Sequence, residues 1–400
     1  MASVTVAGAN GSHVTLNLGA SANLALATQL AGEITKFALS GASVAITGEN
    51  GVASAVPAGL IGEVLETSPA FTILNSQDTE VVFAATSATI EGGGGANQSI
   101  LGGSGNLTFL ANGGSGTFLV GDGNNLFENT GNSGNWTIDT GNGNNTILGG
   151  NGNDFISTGT GHNQILLGSG TDTVSSGGHD TIVAGSGSAT ISTAAGGDVV
   201  HGSSGSLTFI GGIGSSTVLG GSGSISVFGG AGGGTYTGGS DGNNFILGGD
   251  GKTTITGGGN GDQLFASGSA GTVITAASGN ETLSGAFSSG NDQFTAGSGN
   301  DQIDLGSGRD TVIAGSGHAT ITAGTGSDLF QFINGQAGGS DTITGFGAGD
   351  KVQLTGYDHN QITNALDSAK VSGGSTTLQL ADNTRITFTD VVGLKPSNFT

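Results

Sequence analysis

An apolar side chain recurs at nine-residue steps through this chain, and few folds can use such a period. The column runs Ile147, Ile156, Ile165, Val174, Ile182, Ile191, Val200, Phe209, Val218, Val227, Tyr236, Ile246, Ile255, Leu264, Ile274, Leu283, Phe294, Ile303, Val312, Ile321, Phe330. Every step is nine residues except one of eight, two of ten and one of eleven. All 21 places are apolar or aromatic, although only 34% of the chain is hydrophobic. A nine-residue period fits one short strand and one turn. A strand of about three residues points its middle side chain inward and its neighbours outward. Two such units make a coil, and coils stack about 4.8 Å apart. The expected fold is all-β, a parallel β-solenoid of roughly 13 coils in which each coil depends on its neighbours.

The turns carry the second signal. Four consecutive units from Gly297 to Phe332 read GSGNDQIDL, GSGRDTVIA, GSGHATITA and GTGSDLFQF. Glycine accounts for 84 of 400 residues. At that level an aperiodic chain would be flexible, but a strict period gives each glycine a place in a repeated turn. Fourteen acidic residues lie between Gly131 and Phe332. Nine of them, Asp154, Asp172, Asp180, Asp198, Asp262, Asp292, Asp301, Asp310 and Asp328, stand two residues before the apolar column, and Glu281 does too. The pairs Asp154/Asp172, Asp180/Asp198, Asp292/Asp310 and Asp310/Asp328 are eighteen residues apart, one full coil. Stacking sets each pair one above the other, where two carboxylates repel unless a cation sits between them. Turn carbonyls can complete an oxygen shell for Ca²⁺.

Overall charge agrees. Twenty-nine acidic groups face seven basic ones, for a net charge of −22. Phosphate contacts need Lys and Arg, so nucleic acid is not an expected partner. The chain has no cysteine, hence no disulfide or thiolate metal site. No run approaches the ~18 apolar residues of a membrane span. The first residues, MASVTVAGANGSHVTLNL, lack the basic and apolar pattern of a cleavable secretory signal.

The repeat resembles the RTX (repeat-in-toxin) nonapeptide, G-G-x-G-x-D-x-U-x. Gly149–Ser157 (GGNGNDFIS) fits it throughout, and Ala296–Asp304 (AGSGNDQID) fits it but for the first glycine. The likeness spans roughly residues 91–332. It implies a right-handed parallel β-roll with several Ca²⁺ ions in the turns, at the ten acidic residues named above. From Leu207 to Thr253 the aspartate place instead holds Leu207, Ser216, Ile225, Gly234, Asn244 and Thr253. Calcium is therefore expected at about 140–200 and 260–332, and not at about 205–255. Outward threonines (Thr173, Thr181, Thr190, Thr208, Thr217, Thr235, Thr254) read as a solvated β face, or as a regular surface for ice or a glycan.

The two ends differ from the repeat. Residues 1–90 carry strand patterns at Ser3–Ala7, His13–Leu18, Ser43–Thr47, Phe71–Leu74 and Glu80–Ala85. Between them Asn23–Leu39 places Leu26, Leu30, Ile34 and Phe37 on one helical stripe. A small N-terminal α+β or β-rich cap is expected, since a solenoid end exposes an open edge. Residues 333–400 are expected to form a C-terminal β cap, with a helix over Gln361–Lys370 and a hairpin pairing Leu378/Leu380 with Ile386/Phe388. Asp341–Leu354 resembles the segment that follows RTX repeats in exported proteins, and the tail resembles an uncleaved type I secretion signal.

No catalytic constellation emerges. HExxH is absent, and the one G-x-S-x-G match, Gly238–Gly242 around Ser240, lies inside the repeat without a nucleophile elbow's strand-to-helix context. His13, His162, His179, His201, His318 and His359 are scattered; His162, His179 and His318 read as solvated turn residues. The expected role is structural, not enzymatic: an extracellular or cell-surface, calcium-binding protein that self-associates into a surface layer, fibre or biofilm matrix. An adhesin gripping ice or a cell-surface glycan, and an accessory chain of a secreted enzyme, are the alternatives.

Overall fold

The computed structural model describes residues 2–8, 11, 13–19, 23–40, 43–46, 51–52, 57, 60–66, 71–74, 78–83, 87–95, 97–129 and 133–400. The chain divides into two compact units, Met1–Ser206 and Leu207–Thr400. Each is built mainly from parallel strands stacked as a β-solenoid.

In the first unit, one sheet stacks Gln98–Gly102, Gly116–Val120, Trp136–Thr140, Phe155–Thr158, Thr171–Ser176 and Ser188–Thr193 in parallel. The other stacks Ser87–Glu91, Asn106–Leu110, Leu126–Glu128, Thr146–Leu148, Gln164–Leu166, Thr181–Val183 and Val199–His201. The register matches core position to core position. Ile100, Phe118, Ile138, Ile156, Val174 and Ile191 form one file, and Ile90, Phe109, Phe127, Ile147, Ile165, Ile182 and Val200 the other. All are buried. Phe109, Phe118, Phe127 and Trp136 close together inside the early coils, with ring centroids 5.1–5.9 Å apart.

The parallel coils begin well before the glycine turns. Ser43–Ile46 pairs in parallel with Ile61–Glu66, that strand with Asp78–Phe83, and Gly51–Val52 with Phe71–Ile73. The described strands between Ser43 and Phe83 therefore stack in parallel with those of the solenoid, within the region expected as a cap. Of the strand patterns read there, Thr47, Ala84 and Ala85 lie outside the described residues, as does the side chain of Phe37.

What precedes Ser43 packs on the solenoid's flank. Ala2–Ala7 (β1) and His13–Gly19 (β2) form an antiparallel hairpin, and Leu24–Ser40 (α1) follows. Val4, Val6, Val14, Leu16 and Leu18 of the hairpin share one core with Ala27, Leu30, Ala31 and Ile34 of the helix. Leu101 and Leu119 join it from the solenoid. Each stands one residue after a core position, on the outward face of the sheet. Two outward leucines on adjacent strands need cover, and this hairpin–helix pair supplies it. Asn23 caps α1 through a 3.1 Å hydrogen bond from the Leu26 N–H, and its side chain also bonds Asp139, whose pKa burial pushes up to about 6.

The second unit repeats the plan. Its two files are Phe209, Val227, Ile246, Leu264, Leu283, Ile303, Ile321 and Ile343, and Val218, Tyr236, Ile255, Ile274, Phe294, Val312, Phe330 and Val352. The last member of each lies beyond residue 332, so the coils run into the segment expected as a cap. There the helix is His359–Asp367 (α2), capped by Asp358 and Gln361 in a capping box. Ser375–Gln379 and Arg385–Phe388 make the expected hairpin, Leu378 opposite Ile386. Arg385–Phe388 then adds in parallel to Ser340–Thr344 and turns the sheet from parallel to antiparallel. The tail covers the other sheet's edge, with the Thr400 N–H on the Val352 carbonyl. Among the described residues no helix is long and apolar enough to cross a membrane.

Coils stack closely at the turns because glycine is there. A Cβ on Gly168 would fall 1.5 Å from the Gly150 carbonyl oxygen one coil earlier. Gly161, with φ +147, would meet the Gly143 oxygen at 2.1 Å.

Candidate metal centre

The residue two before each core position lies on the same side of the pleat as the core, at the end of the strand nearest the turn. It therefore points inward. All ten acidic residues expected at this place are buried, at 1–3% exposure.

Their carboxylates form ladders. Each rung's backbone N–H donates to Oδ1 of the rung one coil later: Asp154 to Asp172 at 2.9 Å, Asp180 to Asp198 at 2.9 Å, Asp292 to Asp310 at 2.8 Å and Asp310 to Asp328 at 2.9 Å. All four pairs expected one coil apart are thus brought together. Glu281 donates its N–H to Asp301 Oδ1 at 3.1 Å, and Asn244 its own to Asp262 at 2.9 Å.

The ladders extend past the expected sites. Asp328 donates to Asp350 Oδ1 at 2.9 Å and Ala319 to Asp341 Oδ1 at 2.8 Å. One edge of the second unit is therefore an unbroken acid stack, Asp292, Asp310, Asp328, Asp350. Asp341 and Asp350 stand two residues before Ile343 and Val352, so the spacing rule could have found them. Asparagines continue the same ladder in the first unit, where Asn125, Asn145 and Asn163 precede Asp180 and Asp198.

A second ladder runs in the opposite sense just outside the first. The Asn124 N–H donates back to Asn106 Oδ1, Asn144 to Asn124 and His162 to Asn144, all at 2.8–2.9 Å. His179 and His318 join it, accepting at Nδ1 from the N–H groups of Gly197 and Ser340. These histidines are rungs between coils.

Burial makes the inner ladder costly to charge. It pushes Asp154 up to about 7, against the Trp136 N–H that stabilises the anion, with the neighbouring Asp172 charge adding to the rise. Asp310 rises to about 7 through burial and the charges of Asp292 and Asp328. Glu281 reaches about 8 through burial and Asp301, and burial likewise raises Asp341 to about 7. Asp172, Asp198 and Asp328 also rise, burial leading.

The donor set fits a hard cation. Among the described residues, Oδ2 of Asp154, Asp198, Asp292 and Asp341 and Oε2 of Glu281 are buried without a hydrogen-bond partner. A buried anionic oxygen with no partner is strongly destabilising, and a bound cation would satisfy it. Side chains alone do not complete a site: among the described residues no three His, Cys, Asp or Glu groups converge. The remaining ligands would have to be turn carbonyls, an all-oxygen set of the kind calcium takes.

Parallel coils of nine-residue strand–turn units, with carboxylates stacked at their edges, define a class: cation-binding repeat solenoids. The family model of the RTX calcium-binding nonapeptide repeat (4 copies) matches residues 130–174, 175–206, 238–273, 275–312 and 288–321. The chain carries RTX calcium-binding nonapeptide repeats on a parallel β-solenoid. No match covers residues 207–237, where Leu207, Ser216, Ile225 and Gly234 occupy the rung. No curated protein matches the chain.

Proposed function

We propose that this protein is an exported, non-catalytic structural chain that calcium folds outside the cell and that then self-associates into a surface layer, fibre or biofilm matrix. The observation that carries the reading is the buried acid stack Asp292, Asp310, Asp328, Asp350, which has no reason to be so long unless a cation neutralises it. Inside a cell, where calcium is scarce, mutual repulsion would keep these coils loose. At extracellular concentrations of about 10⁻⁴–10⁻³ M, binding would supply folding free energy. The tail resembles a type I export signal and would leave first.

Self-association is supported by an apolar row on the outer face of the second unit. Phe228, Phe245, Phe265 and Phe287 stack with centroids 5.3–5.8 Å apart, and Phe287 is 65% exposed. Exposed apolar patches of this kind mark interaction surfaces. A second reading, a binding module for ice or a glycan, is favoured by two threonine files on that unit: Thr217, Thr235, Thr254 and, two residues along each strand, Thr237, Thr256, Thr275, Thr295.

Electron microscopy of the purified protein with millimolar calcium and then with EGTA tests the reading. Ordered assemblies are expected in calcium alone, and Phe265→Ser/Phe287→Ser should abolish them while the circular dichroism stays that of the parent. Identical assemblies in EGTA would remove the switch. A calcium-folded monomer that adheres to ice or glycan would favour the second reading.

A further inference from the structure

The asparagines in the inner ladder do something the aspartates cannot. Asn145 accepts the Asn125 N–H at Oδ1, 3.0 Å, which leaves its Nδ2 facing oxygens. Nδ2 donates to the Gly141 and Gly143 carbonyls, both at 3.3 Å, and to Asn163 Oδ1 at 2.9 Å. Asn125 repeats this with Gly121 (3.4 Å), Gly123 (3.2 Å) and Asn145 Oδ1 (3.0 Å). Asn163 donates to Gly159 (3.4 Å) and Asp180 Oδ1 (2.7 Å). In the second unit, Asn244 donates to Gly239 and Asp262 Oδ1, both at 2.8 Å. Two turn carbonyls at Asn125 and Asn145, and one at Asn163 and Asn244, thus converge with the next rung's oxygen on one nitrogen. Where the rung is a carboxylate, the corresponding atom is an oxygen that cannot donate, and at Asp154 and Asp198 it has no partner.

We propose that the side-chain amides of Asn125, Asn145, Asn163 and Asn244 occupy the cation position of their turns, so that these turns fold without calcium and are closed to it. The inference rests on the reading that calcium serves the carboxylate rungs. It divides the first unit's rungs: Asn125–Asn145–Asn163 is pinned by amides, while Asp180–Asp198 further along the same edge and Asp154–Asp172 on the other edge wait for the ion. The amide-pinned stretch is a standing template from which calcium-dependent coils order. An NH₂ group donating two or three hydrogen bonds to carbonyl and carboxylate oxygens satisfies the same acceptors that would ligate the ion.

Hydrogen exchange of the full chain in calcium and in EGTA, resolved to single amides, tests this. The N–H groups of Leu107, Asn125 and Asn145, which donate to asparagine rungs, should exchange at the same rate in both. Those of Trp136, Asp154, Asp292 and Asp310 should exchange at least about tenfold faster in EGTA. Asn145→Asp should bind one further calcium ion by isothermal titration calorimetry and make the Asn125 N–H calcium-dependent. Equal loss of protection on both kinds of rung in EGTA would overturn the inference and leave the calcium reading standing. So would an Asn145→Asp variant that gains no ion. If calcium changes protection nowhere, the calcium reading fails and this inference falls with it.

Discussion

At the scale of the residue, each rung has two separable jobs: it accepts an N–H from the previous coil and it carries charge. Asp310 shows how to tell them apart, because it accepts from Asp292 and sits between two other carboxylates. Asp310→Ala strands the buried Asp292 N–H, which costs about 1–3 kcal/mol and should raise the calcium midpoint for folding roughly tenfold. Asp310→Asn keeps the acceptor and removes the charge, so it should fold at lower calcium than the parent. Circular dichroism across a calcium titration reads both; identical midpoints for the two variants would mean that the ladder hydrogen bond contributes nothing. The sequence showed the ten acidic rungs because their spacing is rigid. It hid the asparagine rungs because Asn145 and Asn163 look like departures from an aspartate motif until the amide is seen donating to the turn. Asp341 and Asp350 escaped for a different reason. Their own turns, GGSD and GAGD, still obey the rule, but the insertions around them break the nine-residue count.

At the scale of the element, the turn decides how closely coils approach, and the glycines there are not interchangeable with glycines elsewhere. Gly168→Ala would drive a Cβ into the Gly150 carbonyl one coil away, backbone against backbone, with no side chain free to yield. Gly32, in the exposed middle of α1, has nothing within 4 Å of its missing Cβ. There alanine should stabilise by about 0.5–1 kcal/mol, the usual helical difference. Thermal unfolding in calcium should therefore move in opposite directions for these two substitutions, and a Gly168→Ala variant as stable as the parent would show that the coils can part without cost. The same reasoning explains why the coils between Ser43 and Phe83 were not legible as solenoid. Their steps are irregular, since Ser43 opposite Ile61 is eighteen residues but Gly51 opposite Thr72 is 21 and Glu63 opposite Glu80 is 17, and the glycine–small–glycine pattern that advertises a coil is missing from this stretch. The hairpin and α1 were legible as elements; their place on the flank depended on Leu101 and Leu119, two outward leucines whose significance appears only once the sheet is drawn.

At the scale of the whole molecule, the acids set how stability depends on pH, and the sign follows from burial. Asp154, Asp310 and Asp341 are raised from 3.8 to about 7 and Glu281 from 4.5 to about 8. Their folded values lie above their unfolded ones, so the folded chain binds more protons between about pH 4 and pH 8. Their contribution to stability is then fully present below about pH 4 and is lost as the pH rises through 7–8. The net charge of −22 acts in the same direction, since protonation relieves self-repulsion. Calcium inverts the balance, because an ion at these carboxylates displaces their protons and binds more tightly as the pH rises. Metal-free protein should therefore unfold at a higher temperature at pH 5 than at pH 8, whereas protein in millimolar calcium should be at least as stable at pH 8 as at pH 5. Calorimetric scans at both pH values, with and without calcium, make the comparison. A metal-free chain that gains stability toward pH 8 would mean that the buried acids are already neutralised by something other than protons, and the cation could no longer be what the ladders wait for.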